Sequence, residues 1–244
     1  MTFDLLLRLT GTLFGLIALG IVACLPLYKW DLIKLTRTPL FIKIIWWVPI
    51  FAMLALVLYG EIPAAIAATI IIVAYSIREV AANNGWKRTV ARLYFILFII
   101  WTTHLALWFF VIPEPTASIA LASIATVSIL SDVCAFFMGN YLGKHKLPRR
   151  LNSRKSWEGV VGQIIGAGVG GCIVAYILLI PISPLLVLLV GVASAVGDLI
   201  NSAVKRSLSI KDWGSTIPGH GGVMDRFSSL SLSIAVGFWV ITLI

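Results

Sequence analysis

Charge is scarce in this chain of 244 residues: 12% of them are Asp, Glu, Lys or Arg, and only 10 are acidic. Soluble domains carry roughly 25% charged residues, so a soluble globular enzyme is excluded. Cysteine is scarce too. Cys24, Cys134 and Cys172 each lie inside an apolar run and none pairs at C-x-x-C spacing. That excludes a disulfide scaffold and a cysteine metal centre, and reads as buried, inert thiols. No polar stretch is long enough for a separate soluble domain, and no internal repeat is visible. What is abundant is apolar side chain: 60% hydrophobic residues, with a mean hydropathy of +1.02. Disorder and a coiled coil are excluded with the soluble enzyme, and an all-α, polytopic transmembrane bundle remains.

A spanning helix needs about 20 mostly apolar residues. Eight stretches qualify or nearly so: 8–28, 40–59, 62–77, 90–112, 117–142, 160–181, 184–204 and 228–244. The third and the last are short. The first is too long in its apolar part for a cleaved signal peptide. Strands are not expected, because the runs do not alternate and an open sheet edge in lipid leaves backbone groups unpaired. Residues 1–115 form an N-terminal group of about four spans. Residues 116–244 form the C-terminal group, which carries the polar loops 143–159 and 205–227.

The formal charge is +9. Seventeen of the nineteen Lys and Arg lie in four alternate connections, including Lys29, Arg37, Arg78, Arg88, Lys144, Arg150, Lys205 and Arg226. The opposite connections hold Glu61 and Glu114 and no basic residue. The positive-inside rule therefore puts the basic loops in the cytoplasm and both termini outside, as in a bacterial inner-membrane protein. Orientation and phosphate binding account for the excess charge, and nucleic acid is not an expected partner. The tryptophans near span ends read as interface anchors, and His104 reads as a structural histidine bonded within the bundle.

Intramembrane carboxylates are expensive and mark function by default. Two stand out: Asp132 in the fifth span and Asp198 in the seventh, each two or three turns before a basic loop. The two loops offer Lys155, Glu158, Lys205, Arg206, Lys211, Asp212, His220, Asp225 and Arg226, with Gly219, Gly221 and Gly222 around the histidine. Glycines let a backbone approach a ligand closely, and successive N–H groups in such a turn can form an anion nest. Carboxylates suit a hard cation such as Mg²⁺. Lys and Arg neutralise phosphate. The mixture points to a metal-bound polyphosphate at the cytoplasmic face, with a lipid entering laterally. An anionic leaflet surface is the simpler partner for the basic residues.

Ser202-Ala203-Val204-Lys205-Arg206, then Lys211-Asp212, then Ile217-Pro218-Gly219-His220-Gly221-Gly222-Val223-Met224-Asp225-Arg226 resembles the signature of the phosphatidate cytidylyltransferases, or CDP-diacylglycerol synthases. Lys155-Ser156-Trp157-Glu158-Gly159 and Gly197-Asp198-Leu199 are similar to that family's segments. Asp132 with Phe136, Phe137 and Gly139 matches more loosely. The resemblance covers about residues 128–230. It departs at Ser228, where the family signature ends in Asp, at Asn152-Ser153 in place of Ser-Pro, and at Ser209, where Gly is common.

The resemblance implies that phosphatidate attacks the α-phosphorus of CTP to give CDP-diacylglycerol and pyrophosphate. It implies Asp198 and Asp225 as leading metal ligands and Asp132 and Asp212 as further candidates, with Mg²⁺ or another hard divalent cation as cofactor. It implies Lys205, Arg206, Lys211, His220 and Arg226 as catalytic residues. Lys155, Ser156, Glu158, Ser202, Gly219, Gly221 and Gly222 are implied on the substrates. A homodimer is left open. So are a cytidylyltransferase for another lipid phosphate, a non-catalytic membrane homologue that binds nucleotide or lipid, and a cation-coupled transporter. Ser228 feeds the non-catalytic reading, and the Pro-Gly-His-Gly-Gly turn weighs against the transporter.

Overall fold

Lipid offers no water to unpaired backbone groups, so apolar runs close their own hydrogen bonds as helices. The computed structural model describes residues 3–28, 30–148, 155–219 and 221–243. Among these residues there are nine α-helices and, in place of strands, only isolated bridges. They are α1 Phe3–Cys24, α2 Leu32–Thr36, α3 Pro39–Ile45, α4 Trp47–Ala82, α5 Thr89–Val111, α6 Thr116–Tyr141, α7 Trp157–Tyr176, α8 Pro184–Ser207 and α9 Val223–Leu243. Seven helical stretches are long and apolar enough to cross a membrane. With apolar residues such as Leu19, Leu56 and Leu93 on the outside, this is an integral membrane protein.

The expected eight spans become seven because the second and third join in α4, within the apolar stretch Leu40–Ala82. The break still falls where the sequence places it. Glu61 has φ 49° and ψ −130°, inside a helix that also holds Pro63. Proline lacks an N–H and its ring clashes with the carbonyl four residues before it, so the helix kinks without a loop. Two other boundaries move. The sixth span starts at Trp157, because Ser156 caps it by accepting the Gly159 N–H (3.2 Å), and it ends at Tyr176. The last span begins at Val223, not 228, which puts Asp225 and Arg226 on its first turn.

Small residues decide how closely the C-terminal helices approach. A Cβ added to Gly162, Gly166 or Gly170 of α7 would lie 3.0 Å from Cys134 O, 2.4 Å from Leu130 O and 2.8 Å from Val127 Cα, all backbone atoms of α6. One on Gly197 of α8 would lie 2.6 Å from Ser228 O of α9. Backbone cannot yield as a side chain can, so only glycine fits this packing. The main core gathers Phe98, Trp108, Leu121, Ile124, Val190 and Phe238, with Trp108 Nε1 donating to Ala117 O (2.7 Å). A small second cluster holds Cys24, Leu35 and Ile44 where α1, α2 and α3 meet.

The three cysteines are free, but only Cys24 is buried; Cys134 is half-buried and Cys172 is exposed. An apolar run in a membrane protein has a lipid face as well as a protein face, and Cys172 falls on the outer one. His104 is structural as expected. Its Nδ1 lies 2.7 Å from Ile100 O, and its Nε2 accepts from Trp239 Nε1 (3.0 Å), which makes Nδ1 the protonated nitrogen.

Candidate active site

Lys155 is placed by a short backbone clip. Leu147 N–H donates to Lys155 O and Trp157 N–H to His145 O, both at 2.9 Å. His145 Nδ1 closes the clip on Glu158 Oε1 (2.6 Å), and the His145 N–H donates to the same carboxylate. Lys155 can then reach inward, where its ammonium pairs with Asp198 of α8. Both side chains are about two-thirds covered. Thus Lys155 and Asp198 come together as expected. In this structure Ser156 serves as a helix cap and Glu158 as the clip's latch.

Asp225 sits at the opposite end of the loop that follows α8. Its Oδ1 takes the Lys205 ammonium (2.5 Å), and its Oδ2 accepts the Trp213 N–H (2.7 Å) and the Gly222 N–H (2.9 Å). The Asp225 side chain is fully enclosed. Trp213 Nε1 donates to Asn201 Oδ1 (2.7 Å), and Asn201 Nδ2 donates to Ser228 Oγ (3.1 Å). The position where the resemblance has a carboxylate is therefore a buried, neutral hydroxyl that accepts from Asn201. Tyr94 stacks on Trp213, with ring centroids 6.1 Å apart and planes 13° apart, and seals this side.

Asp132 ties four helices together. It accepts from Gln163 Nε2 of α7 (3.3 Å), Ser194 Oγ of α8 (3.2 Å) and Ser229 Oγ of α9 (2.6 Å). Ser194 stands four residues before Asp198 on α8, and Ser229 three residues after Arg226 on α9, so Asp132 is bonded to the helix faces that carry those two charges. Among the described residues, Asp132 and Arg226 are the charged ones lining a cavity of about 640 Å³ between α1, α3, α4, α5, α6, α7 and α9. Its other walls are mainly apolar, among them Leu13, Phe51, Leu105, Phe137 and Leu230.

The remaining candidates divide. Asp212 is half-exposed, 3.8 Å from the exposed Lys211 ammonium, and does not join the other carboxylates in a cluster. Arg206 donates to Ile210 O (2.9 Å) and closes the end of α8. Ser202 is buried in α8. Gly219 and Gly221 have φ 72° and 90°, the backbone freedom expected of them. His220 lies outside the described residues. Among the described residues, no three His, Cys, Asp or Glu side chains converge as a metal cage.

Sequence reasoning missed Glu79, Asn201, Gln163, Ser194 and Ser229. The signal for Glu79 is slight: it is an acidic residue at a span end otherwise marked by Arg78, Lys87, Arg88 and Arg92. It is 4% exposed and accepts the N–H groups of Val223 (2.7 Å) and Met224 (3.0 Å) at the start of α9.

Fold and site together define a polytopic membrane protein with two buried or half-buried ion pairs, Lys155–Asp198 and Lys205–Asp225, and a mainly apolar cavity whose wall carries Asp132 and Arg226. The chain belongs to the cytidylyltransferase family, whose model matches residues 1–244. It is similar to the phosphatidate cytidylyltransferase of Brucella suis biovar 1 (strain 1330), 37% identical over 126 residues that cover 50% of this chain and 47% of the relative. It is similar to that of Mycobacterium bovis, 39% identical over 117 residues that cover 46% and 38%. The enzyme of that name from Mycobacterium leprae (strain TN) is 38% identical over 120 residues, covering 48% and 38%. The chain thus spans about half or less of the length of these curated relatives.

Proposed function

We propose that this protein transfers a cytidylyl group from CTP to phosphatidate, giving CDP-diacylglycerol and pyrophosphate at the cytoplasmic face of a bacterial inner membrane. The observation that carries this reading is the cavity of about 640 Å³ whose wall carries Asp132 and Arg226, with Asp132 bonded to Ser194 one turn before Asp198 on α8. An apolar chamber holds acyl chains, and an arginine suits a phosphate head.

A phosphatidate oxygen attacks the α-phosphorus of CTP. The new P–O bond forms as the bond to the β-phosphate breaks, and pyrophosphate leaves with the electron pair. A phosphate monoester is already ionised near neutral pH, so the attacking group needs no strong base. The obstacle is the mutual repulsion of two polyanions, and preorganised cations lower it. Lys155 and Lys205 are held by Asp198 and Asp225 in this structure and are ready to exchange a carboxylate for a phosphate. Arg226 holds the lipid phosphate beside the cavity.

A hard divalent cation fits the donor set. Mg²⁺ is usually bound by one or two carboxylates together with substrate phosphates; Asp198 with Asp132 would supply them, since Asp225, the other leading candidate, is held by Lys205 and two backbone N–H groups. Bound there, it would neutralise phosphate charge and stabilise the leaving pyrophosphate.

The neutral Ser228–Asn201 contact favours one second reading, an acceptor lipid phosphate other than phosphatidate. Purified protein with radiolabelled CTP, Mg²⁺ and phosphatidate should yield a labelled CDP-lipid. Product from another lipid phosphate but none from phosphatidate would select the second reading. No labelled lipid from any acceptor would end both.

A further inference from the structure

A glycine turn that opens a helix ordinarily presents free N–H groups and the positive end of the helix dipole, a ready site for phosphate. In this chain four of those groups, on Gly221 to Met224, are already taken. Gly221 N–H donates to Ile217 O (3.1 Å) and Gly222 N–H to Asp225 Oδ2 (2.9 Å). Val223 and Met224 N–H donate to the two oxygens of Glu79, 2.7 and 3.0 Å away. The Thr216 hydroxyl donates to Glu79 Oε1 as well (3.0 Å).

The loop is shaped around this carboxylate. A Cβ on Gly222 would sit 2.6 Å from it, and one on Gly214 3.2 Å from its Oε1. One turn further along α4, Asn83 Nδ2 donates to Glu79 O (2.8 Å) and to Trp213 O (2.7 Å). A helix of the N-terminal half thus holds both ends of the 213–224 loop.

Resting on the cytidylyltransferase reading, we propose that Glu79 is the positioning residue of the site. It fills the anion position at the start of α9, fixes the first turn that carries Asp225 and Arg226, and leaves the nucleotide's phosphates to the side chains of Lys155, Lys205 and Arg226. Without it, two backbone N–H groups and the Thr216 hydroxyl lose their acceptor, and the loop loosens at its centre.

Glu79→Gln keeps the shape of the side chain but offers one acceptor oxygen where the carboxylate offers two. Lys211 lies two residues before Trp213, the clamped start of the loop, with its side chain 70% exposed, so trypsin reports on the clamp without reference to turnover. In the Glu79→Gln protein, cleavage after Lys211 should rise about fivefold or more, because local opening governs native-state proteolysis. Turnover should fall about tenfold, while the Kd for radiolabelled CTP in equilibrium dialysis stays within about threefold, since the phosphates bind elsewhere. CTP binding about tenfold tighter would overturn the proposal, because it would reveal the helix start as a phosphate site blocked by Glu79. Unchanged cleavage at Lys211 would overturn it too. If Glu79→Gln does not accumulate, Thr216→Val removes one contact to the same oxygen, and cleavage should rise about twofold; no rise refutes the clamp. A wild-type protein that transfers no cytidylyl group would refute the activity, while Lys211 cleavage still decides the clamp.

Discussion

Two helices carry glycines at four-residue spacing, and they use them in opposite ways. On α7, Gly162, Gly166 and Gly170 face the backbone of α6 so closely that a methyl group would collide. On α1, Cβ atoms added to Gly11 and Gly15 would meet nothing within 4 Å. The same pattern therefore makes a helix–helix seam in one region and an open surface in the other. The difference lies in what else the helices carry. α6, α7, α8 and α9 each place a polar group on the Asp132 node, so close approach satisfies buried hydrogen bonds as well as packing. α1 places no group on that node; its Arg8 Nη1 donates to Ile177 O just beyond α7 (3.5 Å), and its Ala23 O accepts from the Tyr141 hydroxyl of α6 (2.7 Å). It instead lends Leu9, Leu13 and Leu16 to the cavity wall. The C-terminal helices are packed tightly around buried polar groups, and α1 forms part of the wall of an apolar cavity.

This contrast can be broken at its strong end first. Asp198→Asn keeps size but removes the charge that holds Lys155. Turnover should drop by at least about two orders of magnitude, the scale of losing one strong transition-state stabiliser. Melting of the detergent-solubilised protein should show that it still folds. Near-wild-type turnover would remove Asp198 from the site.

The paired substitutions Gly166→Val and Gly15→Val test the seam itself. Valine at 166 meets Leu130 O at 2.4 Å and Cys134 Cβ at 2.6 Å, and overpacking of this kind costs about 1–3 kcal/mol or more. Valine at 15 should change stability by no more than about 0.5 kcal/mol, as for other surface changes. Equal losses in reversible unfolding would mean that α1 is packed as tightly as α7.

Leu13→Trp sharpens the other side of the comparison. It fills part of the cavity from α1, so the KM for phosphatidate should rise about threefold or more with little change in kcat, the pattern of lost ground-state binding. A fall in kcat alone, with KM unchanged, would show that α1 reaches the reacting groups.

The smallest effect is expected at Ser209, which has φ 60° just after α8. Glycine adopts that conformation without strain, though it also raises the entropy of the unfolded chain. Ser209→Gly should therefore stabilise by less than about 1 kcal/mol, read as a small rise in Tm, with turnover unaltered. A lower Tm would mean that the serine hydroxyl has a role of its own.

Part of this architecture is legible residue by residue. Hydropathy is a local property and the bilayer thickness is fixed, so the spans near α5, α6 and α8 could be placed within a few residues. The signature stretch singled out Lys205 and Asp225, which the structure pairs, and Arg226, which lines the cavity. Other features escaped. The start of α9 lay five residues earlier than expected, since Val223 and Met224 are capped by Glu79, a residue 144 positions away. Cys172, expected to be buried, is exposed, because a run apolar all round shows no preferred side.

The sequence by itself determined that this chain lives in a membrane, is helical, and carries its ionisable groups in a few connections and two spans. Those outcomes follow from composition and from the cost of unpaired backbone in lipid. Only the tertiary structure decided which groups meet: Lys155 with Asp198, Lys205 with Asp225, and Asp132 with donors from three other helices. It also decided that the N-terminal half supplies Glu79 to a turn whose motif lies entirely in the C-terminal half. The physical reason is that a buried carboxylate is stable only where several donors converge. Convergence of donors from distant segments is a property of helix packing, which no single stretch of the chain encodes.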